Sequence, residues 1–351
     1  MNPEIYSALD ANINRCIEGI RVCEDIFRFS VKNLLSSEFK NLRHKIAENI
    51  SLIPSGALLG ARDVLNDEQK FFNTSLEMKR ESIKDIFRSN IRRAVEAARV
   101  IEEFSKSIHP DIAESFQNIR FTLYDLEKRG WLLLEKSLFM QRFRFSLYAI
   151  IDSGFVPAER MAETSRILAD SGAEIIQLRM KDVSDRDYLL MAEKISKVCS
   201  DNDVLFIVND RVDIAMLSGA HGVHLGQDDI PVSTARLISG NRLITGISTS
   251  SIEEAAAVSE ADYIAIGPVF STSSKDGSKL EGVGVDIVRN ICSSADKPVV
   301  AIGGISESNA GILMEAGVSS LSVISALYRD GDIAGNTKRL NDIIKSYNVH
   351  K

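Results

Sequence analysis

The chain has few cysteines, no long apolar run and no excess of positive charge, and each shortage excludes something. Of its 351 residues only four are cysteine, at positions 16, 23, 199 and 292. None forms a C-x-x-C pair, and no histidine stands at zinc-finger spacing from one. That argues against a disulfide framework or a structural zinc site. The cysteines are expected as small buried hydrophobes in a reducing compartment. No stretch approaches the roughly 18 consecutive apolar residues of a membrane-spanning helix. The opening residues, MNPEIYSALDANINR, lack a basic segment followed by an apolar one, so no secretory signal is read there. A cytoplasmic protein with no membrane partner is expected. Lys and Arg number 42 against 49 Asp and Glu, a net charge of −7. Such a chain is a poor electrostatic partner for nucleic acid, and none is expected, although a local cationic patch can still hold phosphate.

What is present reads as globular. Hydrophobic residues make up 44% and charged residues 26%, which excludes a mainly disordered or collagen-like chain. At about 150 residues per domain the length suggests two domains. Residues 1–140 hold charged-apolar segments of helical period and few strand-like runs. From Phe145 the pattern changes. Short runs rich in Ile, Val and Ala alternate with amphipathic stretches: 146–151, 174–179, 204–208, 222–225, 242–246, 263–267, 298–303 and 321–325. Continuous apolar strands between helices indicate a parallel sheet covered on both faces. Eight such units predict an α/β fold, a (β/α)8 TIM barrel over residues 141–351. It follows an all-α domain over residues 1–140. The join, near 138–145, contains no Gly/Ser linker.

The helical half repeats itself. Asn12, Arg15, Glu18, Arg21, Val22 and Glu24 recur 78 residues later as Asn90, Arg93, Glu96, Arg99, Val100 and Glu102. A weaker echo sets Asn41-Leu42-Arg43 against Asn118-Ile119-Arg120. Two related helical repeats in a pseudo-symmetric bundle are therefore expected. On a helical wheel Ile13, Cys16, Ile17, Ile20, Cys23 and Phe27 share one arc, and Glu24 falls inside it. Ile91, Ala94, Val95, Ala98 and Ile101 make the matching arc around Glu102. A carboxylate facing a core needs a partner. Arginines of the opposite copy (Arg15, Arg21, Arg93 or Arg99) are the expected ones. The pattern suits either a structural Arg–Glu network or a second polar site, and the former is preferred.

Barrel sites form where strands end at the C-terminal face. The second strand ends in Gln177-Leu178-Arg179-Met180-Lys181, and alternation sends Gln177, Arg179 and Lys181 to one side, an anion clamp. The third strand ends in Asn209-Asp210, and Gly226-Gln227-Asp228-Asp229 follows the fourth. Hard oxygen ligands on adjacent strand ends suit Mg²⁺, with Asp228 and Asp229 competing for one role. The fifth gives Gly246-Ile247-Ser248-Thr249. After the sixth comes a hydroxyl-rich loop, 267–276, containing Thr272, Ser274 and Lys275 and able to close over an anion. Gly303-Gly304 after the seventh and Ile324-Ser325 after the eighth stand where barrels bind phosphate through backbone N–H groups. His221 and His224, three apart on a strand, face opposite ways and are read as packing or hydrogen-bonding residues. Two anion pockets thus face one mouth, one suited to pyrophosphate and one to monophosphate. No Ser–His–Asp set, Schiff-base Lys or carboxylate acid–base pair stands out. Transfer at a carbon carrying a pyrophosphate leaving group fits best.

Seven motifs in order carry a resemblance to the thiamine-phosphate synthase family: Q-L-R-M-K (177–181), V-N-D-R (208–211), G-V-H-L-G-Q-D-D (222–229), G-I-S (246–248), G-P-V-F-S-T-S-S-K (267–275), I-G-G-I (302–305) and V-I-S-A (323–326). The resemblance covers about residues 145–345. It implies condensation of 4-amino-2-methyl-5-hydroxymethylpyrimidine pyrophosphate with 4-methyl-5-(2-hydroxyethyl)thiazole phosphate, with Mg²⁺, through a pyrimidine carbocation. It further implies that Gln177, Arg179, Lys181, Asn209 and Lys275 hold the pyrophosphate and that Asp210 and Asp229 hold the metal. Ser248 would lie beside the pyrimidine and the departing oxygen. Thr272, Ser274, Gly304, Ile324 and Ser325 would bind the thiazole phosphate. Arg179, Lys181, Ser248 and Lys275 carry the catalytic expectation. Thr249 and Ser274 stand where family members often have His and Thr. The partners implied are phosphorylated small molecules, and a homo-oligomer is compatible with this reading. The helical half resembles an extension fused to some of these synthases, with no role assigned. Two rival readings are a thiazole tautomerase, which would need no pyrophosphate pocket, and a ligand-sensing scaffold.

Overall fold

A computed structural model describes residues 3–62, 80–272 and 280–348. The chain forms two compact units, Met1–Ser137 and Leu138–Lys351. Among the described residues no helix is long and apolar enough to cross a membrane.

The first unit is helical: α1 (Pro3–Asp25), α2 (Leu35–Ile50), α3 (Ser55–Ala61), α4 (Ile83–Ser105) and α5 (Pro110–Gln141), the last running past the unit boundary. A turn of π-helix, Ile26–Ser30, follows α1. Ser82 caps α4 by accepting from the Asp85 N–H at 3.2 Å, which satisfies one donor of the first turn. The arcs expected from periodicity are the buried ones: Ile13, Cys16, Ile20, Cys23 and Phe27 in α1 and the turn after it, and Ile91, Ala94, Ala98 and Ile101 in α4. Each fully buried Ile or Phe contributes about 1.5–3 kcal/mol. The helices α1 and α4 touch closely at Gly19, where a Cβ would lie 2.6 Å from the Asn90 carbonyl oxygen. Phe27 stacks on Phe39 at 5.7 Å and meets Phe87 edge-on at 5.4 Å.

Glu24 and Glu102 are each 2% exposed, as the wheel predicts, but their partners differ from expectation. Glu24 pairs with Arg43 at 3.1 Å and Arg21 at 3.7 Å. Glu102 pairs with Arg120 at 2.8 Å and Arg99 at 2.7 Å. Each network closes inside its own copy. The expectation of cross-copy pairs fails because Arg21 and Arg99 sit one helical turn before their glutamates, within reach on the same helix. The second arginine comes from the Asn-Leu-Arg and Asn-Ile-Arg echo on α2 and α5. Arg15 and Arg93 stay exposed.

The second unit is a closed barrel of eight parallel strands in sequential order. They are β1 (Ser146–Asp152), β2 (Ile175–Arg179), β3 (Leu205–Asn209), β4 (Gly222–Leu225), β5 (Ile244–Thr249), β6 (Tyr263–Ile266), β7 (Val299–Ile302) and β8 (Ser320–Val323). Pairing of β8 with β1, starting at Ser146↔Ser320, closes the cylinder. Helices α6 (Ala158–Asp170), α7 (Asp185–Asp201), α8 (Val212–Leu217), α9 (Val232–Ser239), α10 (Ile252–Ala257), α11 (Val285–Ser294), α12 (Ala310–Glu315) and α13 (Ile333–Ser346) are interleaved with and follow the strands. Inward residues such as Tyr148, Ile150, Ile175, Leu205, Ile207 and Tyr263 pack with Phe143 as a small inner core, while residues such as Leu147, Ile176, Phe206 and Leu321 belong to the larger core beneath the helices. The strand β5 runs beyond its expected end at residue 246. Gly246 looks like a terminator in sequence, yet it lies inside the strand, where a Cβ would come within 2.0 Å of the Tyr263 ring. The glycine is required by close approach, not by a turn.

Candidate active site

The strand ends surround a cavity of about 190 Å³. Gln177 and Arg179 of β2, Asn209 of β3 and Ser248 of β5 line it. Thr272, Gly304, Ile324 and Ser325 line it from the segments after β6, β7 and β8. Eight residues singled out from strand ends thus share one wall. Ser274 and Lys275 lie outside the described residues.

Each polar group has a local reason for its placement. Gln177 is 2% exposed, and its Nε2 donates to Tyr148 Oη at 2.8 Å. Arg179 Nη1 donates to Asp152 Oδ2 at 2.6 Å. Lys181 departs from simple alternation, because β2 ends at Arg179. Its Nζ instead donates to Asp210 Oδ2 at 2.6 Å, and it does not line the cavity. Tyr188 on α7 ties two strand ends together: its hydroxyl lies 2.9 Å from the Leu178 carbonyl and 3.0 Å from that of Asn209.

Asp210 takes a left-handed backbone, φ 63°, and its N–H donates to the His224 carbonyl at 2.8 Å. Burial pushes its carboxyl above the ordinary aspartate range; Asp229 pushes the same way, and Lys181 pulls against both. Asp229 is held by the Gly226 N–H, which donates to its Oδ2 at 2.6 Å. Asp229 rather than the exposed Asp228 therefore stands beside Asp210.

The sequence left one feature unseen. Ser248 Oγ is 2.9 Å from His224 Nε2, and His224 Nδ1 is 2.9 Å from Tyr263 Oη. Tyr263 Oη and Tyr148 Oη share a hydrogen bond of 2.9 Å, and Gln177 completes the chain. Five side chains from five strands thus form one line beneath the cavity. Burial holds both phenols well above their usual pKa, so they stay protonated. The hydrogen-bonding role expected of His224 is realised here. His221 faces elsewhere, its Nδ1 accepting from the Phe206 N–H at 3.0 Å. The signal for Tyr148 and Tyr263 was faint: a tyrosine at an inward strand position reads as core. Thr249 is 2% exposed and does not line the cavity, so the exchange at this position lies off the wall.

A wider depression, about 640 Å³, lies away from the strand ends at Ser233, Arg236, Leu237 and Glu260. Its Arg236 is occupied with Asp262 and Asn241, both at 3.0 Å, so it offers less chemistry than the smaller cavity.

The family described as thiamine monophosphate synthase matches residues 147–327, and the ThiD2 family matches residues 7–129. A thiamine-phosphate synthase of Synechocystis sp. is 35% identical over 92% of this chain and 91% of its own length. That of Gloeobacter violaceus is 35% identical over 96% of this chain and 97% of its own. A solved thiamine phosphate pyrophosphorylase from Pyrococcus furiosus superposes with a TM-score of 0.54 at 35% identity, covering 59% of this chain and 98% of that one. The chain belongs to the thiamine-phosphate synthase family.

Proposed function

We propose that the barrel condenses 4-amino-2-methyl-5-hydroxymethylpyrimidine pyrophosphate with 4-methyl-5-(2-hydroxyethyl)thiazole phosphate, a transfer step of thiamine biosynthesis. The C–O bond to pyrophosphate breaks, and its electron pair leaves with the diphosphate. The methylene cation, stabilised by the aminopyrimidine ring, is captured by the thiazole nitrogen. No proton need move, and no protein nucleophile is required.

The observation that carries this reading is the common cavity. Gln177, Arg179, Asn209 and Ser248 line one space with Gly304 and Ser325. Arg179, with Lys181 and Lys275, would hold the pyrophosphate as its charge grows, which is where fixed cations lower a barrier most. Ser248, held by His224, would orient the pyrimidine and the departing oxygen. Thr272, Ser274 and the backbone of Gly304, Ile324 and Ser325 would take the thiazole phosphate. Asp210 and Asp229 would hold Mg²⁺. Two adjacent carboxylates, one raised by burial and by the other's charge, fit a hard cation that takes its remaining ligands from substrate and water. When bound, the ion neutralises diphosphate charge.

The test is turnover. With both phosphorylated substrates and Mg²⁺ the full chain should release one pyrophosphate per thiamine phosphate formed. No product under those conditions would end this reading.

A further inference from the structure

We propose that Asp152 is a positioning residue for Arg179, fixing the guanidinium before the diphosphate arrives; this rests on the reading of the cavity just given. Asp152 is the last residue of β1 and stands level with Arg179 across the β1–β2 pair. Both of its oxygens are engaged. Oδ2 accepts from Arg179 Nη1 at 2.6 Å, and Oδ1 accepts from the Gly154 N–H at 2.7 Å. Asp152 is 3% exposed and does not line the cavity, whereas Arg179 does. Its effect on a ligand therefore passes through the arginine.

The turn after β1 braces the clamp a second time. The Ser153 N–H donates to the Arg179 carbonyl at 3.0 Å, and the Lys181 N–H donates to Ser153 Oγ at 3.1 Å. One short turn thus orders the side chain of one cation and the backbone of both. The physical gain is preorganisation. An unrestrained arginine loses rotamer freedom when it grips an anion, and that loss weakens binding. A carboxylate fixed by its own backbone hydrogen bond removes most of that loss beforehand. The planar fork of a guanidinium can serve a carboxylate and an anion together.

The test compares wild type, Asp152→Ala, Asp152→Asn, Arg179→Ala and the Asp152→Ala/Arg179→Ala pair, all in the full chain. Inorganic pyrophosphate with Mg²⁺ is titrated by calorimetry, and KM is measured for each substrate. Loss of positioning should weaken pyrophosphate binding about tenfold in Asp152→Ala, as loss of an orienting partner does elsewhere. Asp152→Asn should fall between that variant and wild type, since its amide oxygen can still accept from Arg179. KM for the thiazole phosphate should stay unchanged. In the Arg179→Ala background, removing Asp152 should add no further loss. Pyrophosphate affinity equal to or tighter than wild type in both Asp152 variants would overturn the proposal, as would a fully additive loss in the double variant. If Asp152→Ala fails to fold, the isosteric Asn variant decides. A wild type that binds pyrophosphate but makes no thiamine phosphate would sink the synthase reading alone. A wild type that binds no pyrophosphate would sink both.

Discussion

Both units pair buried carboxylates with arginines, yet to different ends. In the helical unit Glu24 and Glu102 are each enclosed by two arginines of their own copy, and the arrangement occurs twice. In the barrel, Asp152–Arg179 and Asp210–Lys181 occur once each, at strand ends beside a cavity. The first arrangement satisfies its charges within helix packing. In the second, Arg179 lines the cavity, and Lys181 is tied to Asp210, the sequence neighbour of Asn209, which lines it too. The lesson is that ion pairing alone does not mark a site; concavity and convergence do.

That contrast can be broken by substitution. Arg179→Ala should lower turnover roughly 10²–10³-fold, the usual effect of losing one preorganised donor, while circular dichroism shows an intact fold. Near-wild-type turnover would place the clamp elsewhere. Glu102→Ala should do the reverse. It removes the carboxylate shared by Arg99 and Arg120, leaving Arg120 with Tyr124, and should cost about 1–3 kcal/mol in urea unfolding while turnover per folded molecule is retained. Gly246→Ala should affect both measures. Its Cβ would push into Tyr263, costing about 1–3 kcal/mol and loosening the line that holds Ser248.

Smaller effects sharpen the comparison. The folded Asp210 carboxyl titrates above its ordinary value of 3.8, so the native state holds more protons than the unfolded chain just above that pH. Stability should therefore fall as pH rises from 3.8 through the raised value. Asp210→Asn should lack that fall and melt higher than wild type at neutral pH in magnesium-free buffer. A lower melting point would show that the Lys181 bond outweighs burial and the Asp229 charge. Burial pushes the Cys16 and Cys199 thiols up to about 12, so neither should react with a thiol reagent near neutral pH until the chain unfolds.

Much of the barrel was legible because parallel strands buried on both faces appear as plain apolar runs. The end of β5 was not, because glycine serves both turns and close contacts, and only the Tyr263 ring distinguishes them. The cavity wall was legible at Gln177, Arg179, Asn209 and Ser248 because each sits at the close of an apolar run. Lys181 fell outside the alternation argument once the strand ended two residues earlier. Asp152, Tyr148 and Tyr263 were invisible for a different reason. Their importance lies in cross-strand partners distant in sequence, and no local pattern encodes those. The same holds for Arg43 and Arg120, which the repeat displayed but did not pair with Glu24 and Glu102.

The most direct measurement is a crystal structure of the full chain soaked with Mg²⁺ and pyrophosphate. Diphosphate oxygens within hydrogen-bonding distance of Gln177, Arg179 and Asn209, with the ion bridging Asp210 and Asp229, are what the proposed chemistry demands. Diphosphate bound away from the strand ends, with none of its oxygens near Arg179, would contradict it.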